Sequence, residues 1–306
     1  MISPSSILIC LGIIVLSPLF PGIINRTKAF FAGRHGPPFL QLYLDIVKLM
    51  RKTSVYSETT TVITRIAPFV ILFSTLAASL LVPVAFRPAG VSFTGDIILL
   101  AYLLGIGRFF MVLAALDTGS AFEGMGAARE VLYGAIAEPA LFCGLLVLIN
   151  ETSQTSLSAI YDGLTAESWW QNPTTFLLIA ASWMIILLVE NARIPVDDPN
   201  THLELTMIHE VMILDYSGKD LGLIEFSGAV KLAIFNSLLV GLILSGQALS
   251  FPLQLPVYLV GMLLIAVIIG VIESVIARFR LLHIPKFIVG SGALAIIALI
   301  LKLSGN

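Results

Sequence analysis

The sequence predicts an all-α polytopic membrane protein with eight transmembrane helices and amphipathic helices in the loops between them. Three observations carry this expectation. Hydrophobic residues make up 58% of the chain and charged residues 12%, at a mean hydropathy of +0.99. A soluble domain needs about 25% charged residues to cover its surface. Apolar runs of about 20 residues, the length that crosses a hydrocarbon core as a helix, recur from one end to the other. The charges gather between these runs.

The opening MISPSSILICLGIIVL lacks the positive start of a secretory signal and reads as a retained first span near 5–24. Further spans are expected near 65–86, 96–116, 130–149, 173–190, 229–247, 255–275 and 285–303, all within one integral membrane domain, 1–306. Leu232 to Ile272 holds no charge, and its length and the break SGQALSFPLQLP make it two helices. The last span has only 15 uncharged residues between Lys286 and Lys302, whose long side chains can snorkel to the interfaces. Eight spans put both termini on one side. Of the 17 Lys and Arg, Arg87 and Lys302 fall on that side, and the other 15 fall on the opposite face or in the helix turns nearest it. The positive-inside rule then makes 25–62, 117–129, 191–226 and 277–285 cytoplasmic loops of an inner-membrane protein with both termini outside.

In the first of these loops, PPFLQLYLDIVKLM places Phe39, Leu42, Tyr43, Ile46 and Leu49 at helical spacing, with Asp45 and Lys48 pointing elsewhere. That pattern predicts a helix lying at the interface. In the third, Asp198-Pro199 is a helix start and Tyr216-Ser217-Gly218 a stop. The same loop, with the span end before it, packs Glu190, Asp197, Asp198, Glu204, Glu210 and Asp215 into 26 residues against Arg193 alone. Such an acidic cluster points to proton or cation handling, or to a docking surface for a soluble partner.

The fourth span carries Glu130 near its cytoplasmic end and Glu138 two turns deeper. An ionised group near the bilayer centre costs about 2.5–3.5 kcal/mol on insertion scales, which a bundle carries where the group has a partner or water. Eight helical residues turn the chain by about 800°, so the two carboxylates point within about 80° of each other. Pro139 frees a carbonyl one turn earlier. Glu130 has a bland alternative, pairing with Arg129 or Arg108 at the interface. Glu190, Glu225 and Glu273 sit at cytoplasmic ends of the next three spans and, with Glu130 and Glu138, form an expected file of carboxylates for a proton or ion path.

Other chemistry fails on spacing. His209-Glu210 opens a zinc-protease motif, but Ile213 holds the second histidine position, and His202 and His209 lack an evident third metal ligand. Gly124-Met125-Gly126-Ala127-Ala128-Arg129 breaks the dinucleotide fingerprint at its last glycine and follows a membrane span, not a strand. Cys10 and Cys143 cannot supply the four thiolates of an iron–sulfur cluster. A net charge of −2 without a basic run excludes nucleic acid as a partner. There is no internal repeat of the kind common in secondary transporters.

Gly36-Pro37, Leu40-Gln41, Asp45 and Lys48-Leu49 resemble the first cytoplasmic loop of subunit 1 of respiratory complex I, the proton-translocating NADH dehydrogenase. The stretch from Glu190-Asn191 through Pro195 and Asp197 to Tyr216-Ser217-Gly218 is similar to that subunit's acidic loop. Leu116-Asp117-Thr118-Gly119-Ser120-Ala121-Phe122, Gly126-Ala127-Ala128-Arg129-Glu130, Glu138-Pro139 and Arg278-Phe279-Arg280 look closer still to group 4 membrane-bound [NiFe] hydrogenases, of the formate hydrogenlyase subunit 4 and hydrogenase-4 component C type. The matches run in order over nearly the whole chain.

The resemblance implies a non-catalytic membrane anchor and coupling subunit of an energy-converting hydrogenase or related complex. It links electron transfer in a cytoplasmic arm to proton or sodium translocation. It implies hydrogenase-like large and small subunits, iron–sulfur subunits and antiporter-like membrane subunits as partners. The NiFe centre and clusters then sit in those partners, and no cofactor is bound by this chain. Carried over by position, Glu130 and Glu138 are buried carboxylates of the path. Asp197, Asp198, Glu204, Glu210 and Asp215 line the acidic coupling loop, and Arg34, Gln41, Asp45 and Lys48 belong to the arm-docking loop. The chain departs from complex I at His35-Gly36-Pro37-Pro38, shorter than the quinone-side loop there, and at Val196-Asp197-Asp198-Pro199. The alternatives are subunit 1 of complex I bounding a quinone cavity, a stand-alone ion transporter and a purely structural anchor.

Overall fold

The computed structural model describes residues 3–197, 207–246 and 251–304, and among them the architecture is all-α. The elements are α1 (Pro4–Leu16), α2 (Leu19–Phe31), α3 (Gln41–Met50), α4 (Val62–Ser79), α5 (Asp96–Asp117), α6 (Ala121–Thr152), α7 (Leu157–Gly163), α8 (Ala166–Gln171), α9 (Pro173–Glu190), α10 (His209–Met212), α11 (Gly218–Leu244), α12 (Phe251–Val275) and α13 (Ile284–Ser304). Seven of these are long and apolar enough to cross a membrane, and α1 with α2, bent by 40°, makes an eighth if the pair is one span. The bend lies at Ser17-Pro18, where the proline cannot donate to the helical ladder.

Both ends of the described chain share one face of the bundle. The Ser3 amide donates to Gly90 O at 3.3 Å, Gly95 N to Thr155 O at 3.3 Å, and Lys302 pairs with Glu151 at 2.6 Å. The opposite face collects α3, α10 and the segments around them. There the Val55 amide donates to the Ser217 hydroxyl at 3.0 Å and Phe279 N to Pro195 O at 3.0 Å. α11 is the most buried span and lies against α3, α4, α9 and α12. The outer surface of the bundle is aliphatic and aromatic, with Leu8, Phe73, Tyr102, Val260, Leu264 and Ile300 all more than half exposed. Such a continuous apolar surface requires lipid or a membrane neighbour. Small residues let helices close up, as membrane packing favours: a Cβ added at Gly144 of α6 would lie 2.4 Å from the Trp183 indole nitrogen of α9.

Several boundaries differ from the sequence expectation. α4 ends at Ser79, not near 86, and the chain then turns through Ala85 and Phe86 at positive φ (52° and 59°). α6 begins at Ala121, so most of the expected loop 117–129 is helix. Its first turn is fixed by Glu123, a buried carboxylate that accepts from the Thr118 hydroxyl and, at 3.2 Å, from the Asp215 amide. α11 begins at Gly218 rather than near 229, because a helix continues beyond the apolar window once Lys219, Asp220 and Glu225 find polar surroundings. α7 and α8 occupy the connection 150–172 that hydropathy leaves blank.

α3 forms within the expected segment, but Phe39 lies before it. Ile46 and Leu49 pack beside Gly222 of α11 while Leu44 and Val47 are exposed, so both flanks of α3 are apolar. The expected helix start at Asp198-Pro199 lies outside the described residues.

Candidate functional site

The site is built around Arg108, contributed by the middle of α5 and 11% exposed. Its Nη1 donates to Glu138 Oε1 at 2.6 Å and its Nη2 to Glu190 Oε1 at 2.5 Å, while Nε lies 3.6 Å from Glu130 Oε1. Lys231 of α11 approaches the second oxygen of Glu190 at 2.9 Å. Four helices thus meet in one ionic network. The guanidinium fits because residue 134 of α6, one turn from each carboxylate, is glycine: a Cβ there would lie 2.2 Å from Nη1. Glu130, Gly134 and Glu138 form one stripe, with Arg108 seated in its notch. α6 runs through Pro139 without a break.

Three carboxylates against two cations leave the network one negative charge in excess. Charge-assisted bonds in a poorly hydrated site are strong. Removing one partner of such a buried pair typically costs about 3–5 kcal/mol, because the other charge is left uncompensated. Glu138 differs from its fellows in being 45% exposed, against 14% for Glu130 and 5% for Glu190.

Two cavities adjoin the network. The larger, about 270 Å³, lies between α2, α3, α11 and the end of α9, and is lined by Asp45, Glu190, Arg193, Asp197, Glu210, Glu225 and Lys231 among others. The smaller, about 50 Å³, is lined by Arg108, Glu130, His209 and Ser227, with apolar residues of α4 and α5. Burial, with the Glu225 and Asp197 charges behind it and Arg193 in opposition, pushes the Glu210 carboxyl up to about 7.

Of the five expected path residues, Glu130, Glu138 and Glu190 come together on Arg108. Glu225 faces the larger cavity instead. Glu273 belongs to a separate group: its side chain is fully buried, 2.8 Å from Lys28 of α2 and 3.6 Å from Arg193. The bland alternative for Glu130 resolves in favour of Arg108, since Arg129 donates to Met207 O at 2.8 Å. The acidic loop is less of a surface than its composition implies. Asp197 is 1% exposed, ion-paired with Arg278 at 2.8 Å, and accepts from the amides of Ile208 at 2.8 Å and His209 at 3.2 Å. Asp215 is exposed. Asp198, Glu204 and His202 lie outside the described residues. In the first loop Arg34 and Lys48 are exposed, whereas Asp45 accepts from Gln41 at 3.0 Å and faces the larger cavity.

The residues that sequence reasoning misses are the cations and the notch. In the sequence Arg108 stands as one of two candidate partners for Glu130 and Arg278 as part of a motif, while Lys231, Lys28 and Arg193 are only markers of orientation or isolated loop charges and Gly134 is one small residue among many. One signal exists: Glu130-x-x-x-Gly134-x-x-x-Glu138 is a stripe with a gap between two acids. Among the described residues no group of three or more His, Cys, Asp or Glu is arranged to hold a metal ion, and Cys10 and Cys143 are both free thiols.

An all-helical bundle with an ionic network in its interior defines a multi-pass membrane protein with charge chemistry at its core. The chain belongs to the NADH dehydrogenase family, the subunit 1 type, matching it over residues 5–303. It is similar to hydrogenase-4 component C of Escherichia coli (strain K12), with 33% identity over 299 residues, 96% of this chain and 93% of the relative. Formate hydrogenlyase subunit 4 of the same organism is 30% identical over 283 residues, covering 90% of this chain and 91% of the relative. The fold is shared with a chain of the membrane-bound sulfane sulfur reductase, an archaeal respiratory membrane complex, at a TM-score of 0.80 and 22% identity, covering 97% and 98% of the two chains.

Proposed function

We propose that this chain is the membrane coupling subunit of an energy-converting hydrogenase or hydrogenase-related complex, and that the Arg108 network is where ion movement is coupled to electron transfer. One observation carries the reading: a single guanidinium is shared by three carboxylates from two helices, and with Lys231 beside Glu190 the network keeps one negative charge in excess. One added proton brings that network to neutrality. Which carboxylate holds the proton then sets which ones keep the arginine, so a shift of one charge moves the next. The loop face, with its acidic cavity, is the cytoplasmic side, and water there supplies the proton. Electrons stay in an arm of hydrogenase-like and iron–sulfur subunits docked on that face, where the NiFe centre and clusters reside. Antiporter-like membrane subunits adjoin the bundle.

The chemistry of the larger cavity favours this over a quinone chamber. Its lining holds five carboxylates, Asp45, Glu190, Asp197, Glu210 and Glu225, which suit water and cations rather than an apolar ring. The test uses inverted vesicles carrying the assembled complex, driven by reduced ferredoxin or formate, with a pH-sensitive dye and sodium uptake read in parallel. Glu130→Gln and Glu190→Gln are expected to abolish ion uptake while the arm remains bound. Uptake at the parental rate in both variants would remove the Arg108 network from the path.

A further inference from the structure

The two cavities beside the network share a wall. His209, Ile224, Gly228 and Lys231 line both of them. On one side of this wall stand Glu210 and Glu225, and on the other Glu130 with Arg108. Only two of the four wall residues titrate, and Lys231 is held by Glu190 at 2.9 Å. His209 opens α10, and its amide is tied to Asp197 at 3.2 Å, which Arg278 anchors in turn at 2.8 Å. The backbone that carries the imidazole is therefore held in place.

We propose that His209 is the proton carrier between the acidic cavity and Glu130. This deepens the coupling function proposed above and rests on it. One ring nitrogen takes a proton from the Glu210 carboxyl or from cavity water. The opposite ring nitrogen then releases its proton towards the Glu130 carboxylate, directly or through water in the smaller cavity. Loss of that proton leaves neutral imidazole, and rotation of the ring or exchange with water restores the starting tautomer. One proton has crossed the wall, and no electron has moved. Burial pulls the imidazole down from its ordinary range, the Lys231 charge adds to the fall, and the nearby Glu130 and Asp197 charges oppose it.

Gly228 offers an independent probe. A Cβ added there meets nothing within 4 Å, so a side chain at this position starts in open space and Gly228→Leu adds its bulk at the shared wall. In the vesicle assay, His209→Gln and Gly228→Leu are each expected to lower proton uptake about tenfold or more with the arm still bound. Imidazole added to His209→Ala is expected to restore part of the uptake. Glu130→Gln separates the two claims: if it abolishes uptake while both wall variants pump like the parent, the His209 relay is overturned and the Arg108 reading stands. If His209→Gln fails to assemble, Gly228→Leu decides, and parental pumping by that variant overturns the relay. Uptake that requires sodium and survives a protonophore also overturns it.

Discussion

Arg108 illustrates how a residue's meaning depends on its partners. In sequence, Glu138 has no basic neighbour within eight positions and stands as an uncompensated acid unless a cation on another helix reaches it. Arg108, thirty positions earlier, is that cation, at 2.6 Å. Glu138→Gln keeps the shape and one hydrogen bond while removing the exchangeable proton. Assembly is expected to persist and ion uptake to fall about tenfold or more, with Glu138→Asp retaining part of it; vesicle uptake and co-purification of the arm check both. Unchanged uptake would make Glu138 a packing partner. Gly134→Ala addresses the notch. Its methyl would lie 2.2 Å from Nη1, so the guanidinium must shift away from the notch, weakening bonds to the α6 carboxylates. A loss of about 1 kcal/mol in stability is expected, read as a lower thermal midpoint in detergent. An alanine variant as stable as the parent would mean the arginine is not held in that notch.

At the scale of elements, the short α10 segment and α3 carry separate consequences. The Glu210 carboxyl is raised to about 7 by burial and by the Glu225 and Asp197 charges. The folded state therefore binds this proton more tightly than the unfolded chain does. Stability linked to Glu210 is fullest below the ordinary carboxylate range and is lost as pH rises towards and through about 7. Glu210→Gln is expected to flatten that decline, raising the thermal midpoint over the parent at pH 8 with little difference at pH 5. A parallel pH dependence in parent and variant would contradict this. α3 bears on docking. Asp45 faces the cavity and Asp197 is buried against Arg278, so reversing either disturbs the interior. Arg34 and Lys48 are exposed, and a polar rim contact is available to them. The double variant Arg34→Glu, Lys48→Glu is expected to release the soluble arm from membranes, measured by sedimentation. Full retention of the arm would exclude this corner as its seat.

For the whole molecule, the question is orientation. The two ends share a face, as an even number of spans requires, and the basic residues crowd the other. Lys52 and Gln171 are exposed on opposite faces. With the loop face cytoplasmic, an impermeant thiol reagent applied to intact cells is expected to label Gln171→Cys and spare Lys52→Cys. Cys10 is buried and Cys143 half-buried, which keeps the background low. The reverse labelling pattern would invert the proposed topology.

Hydropathy determined the class of protein and the order of its spans, because a lipid environment imposes long apolar helices regardless of how they later pack. The fifth span, 173–190, coincides with α9 because Asn172-Pro173 and Asn191 bracket a run that is uncharged up to its last residue, Glu190. Where charges continue a helix beyond the apolar window, as in α6 and α11, the same rule misplaces the start, since polarity there reports the surroundings and not the end of the backbone ladder. The acids of the site are visible as residues out of place in lipid. Apart from Arg108 as a possible partner of Glu130, their partners are not. Arg108 precedes Glu190 by 82 positions, and Lys28 precedes Glu273 by 245. No local pattern links such pairs, so only the packing of the helices decides which cation neutralises which carboxylate.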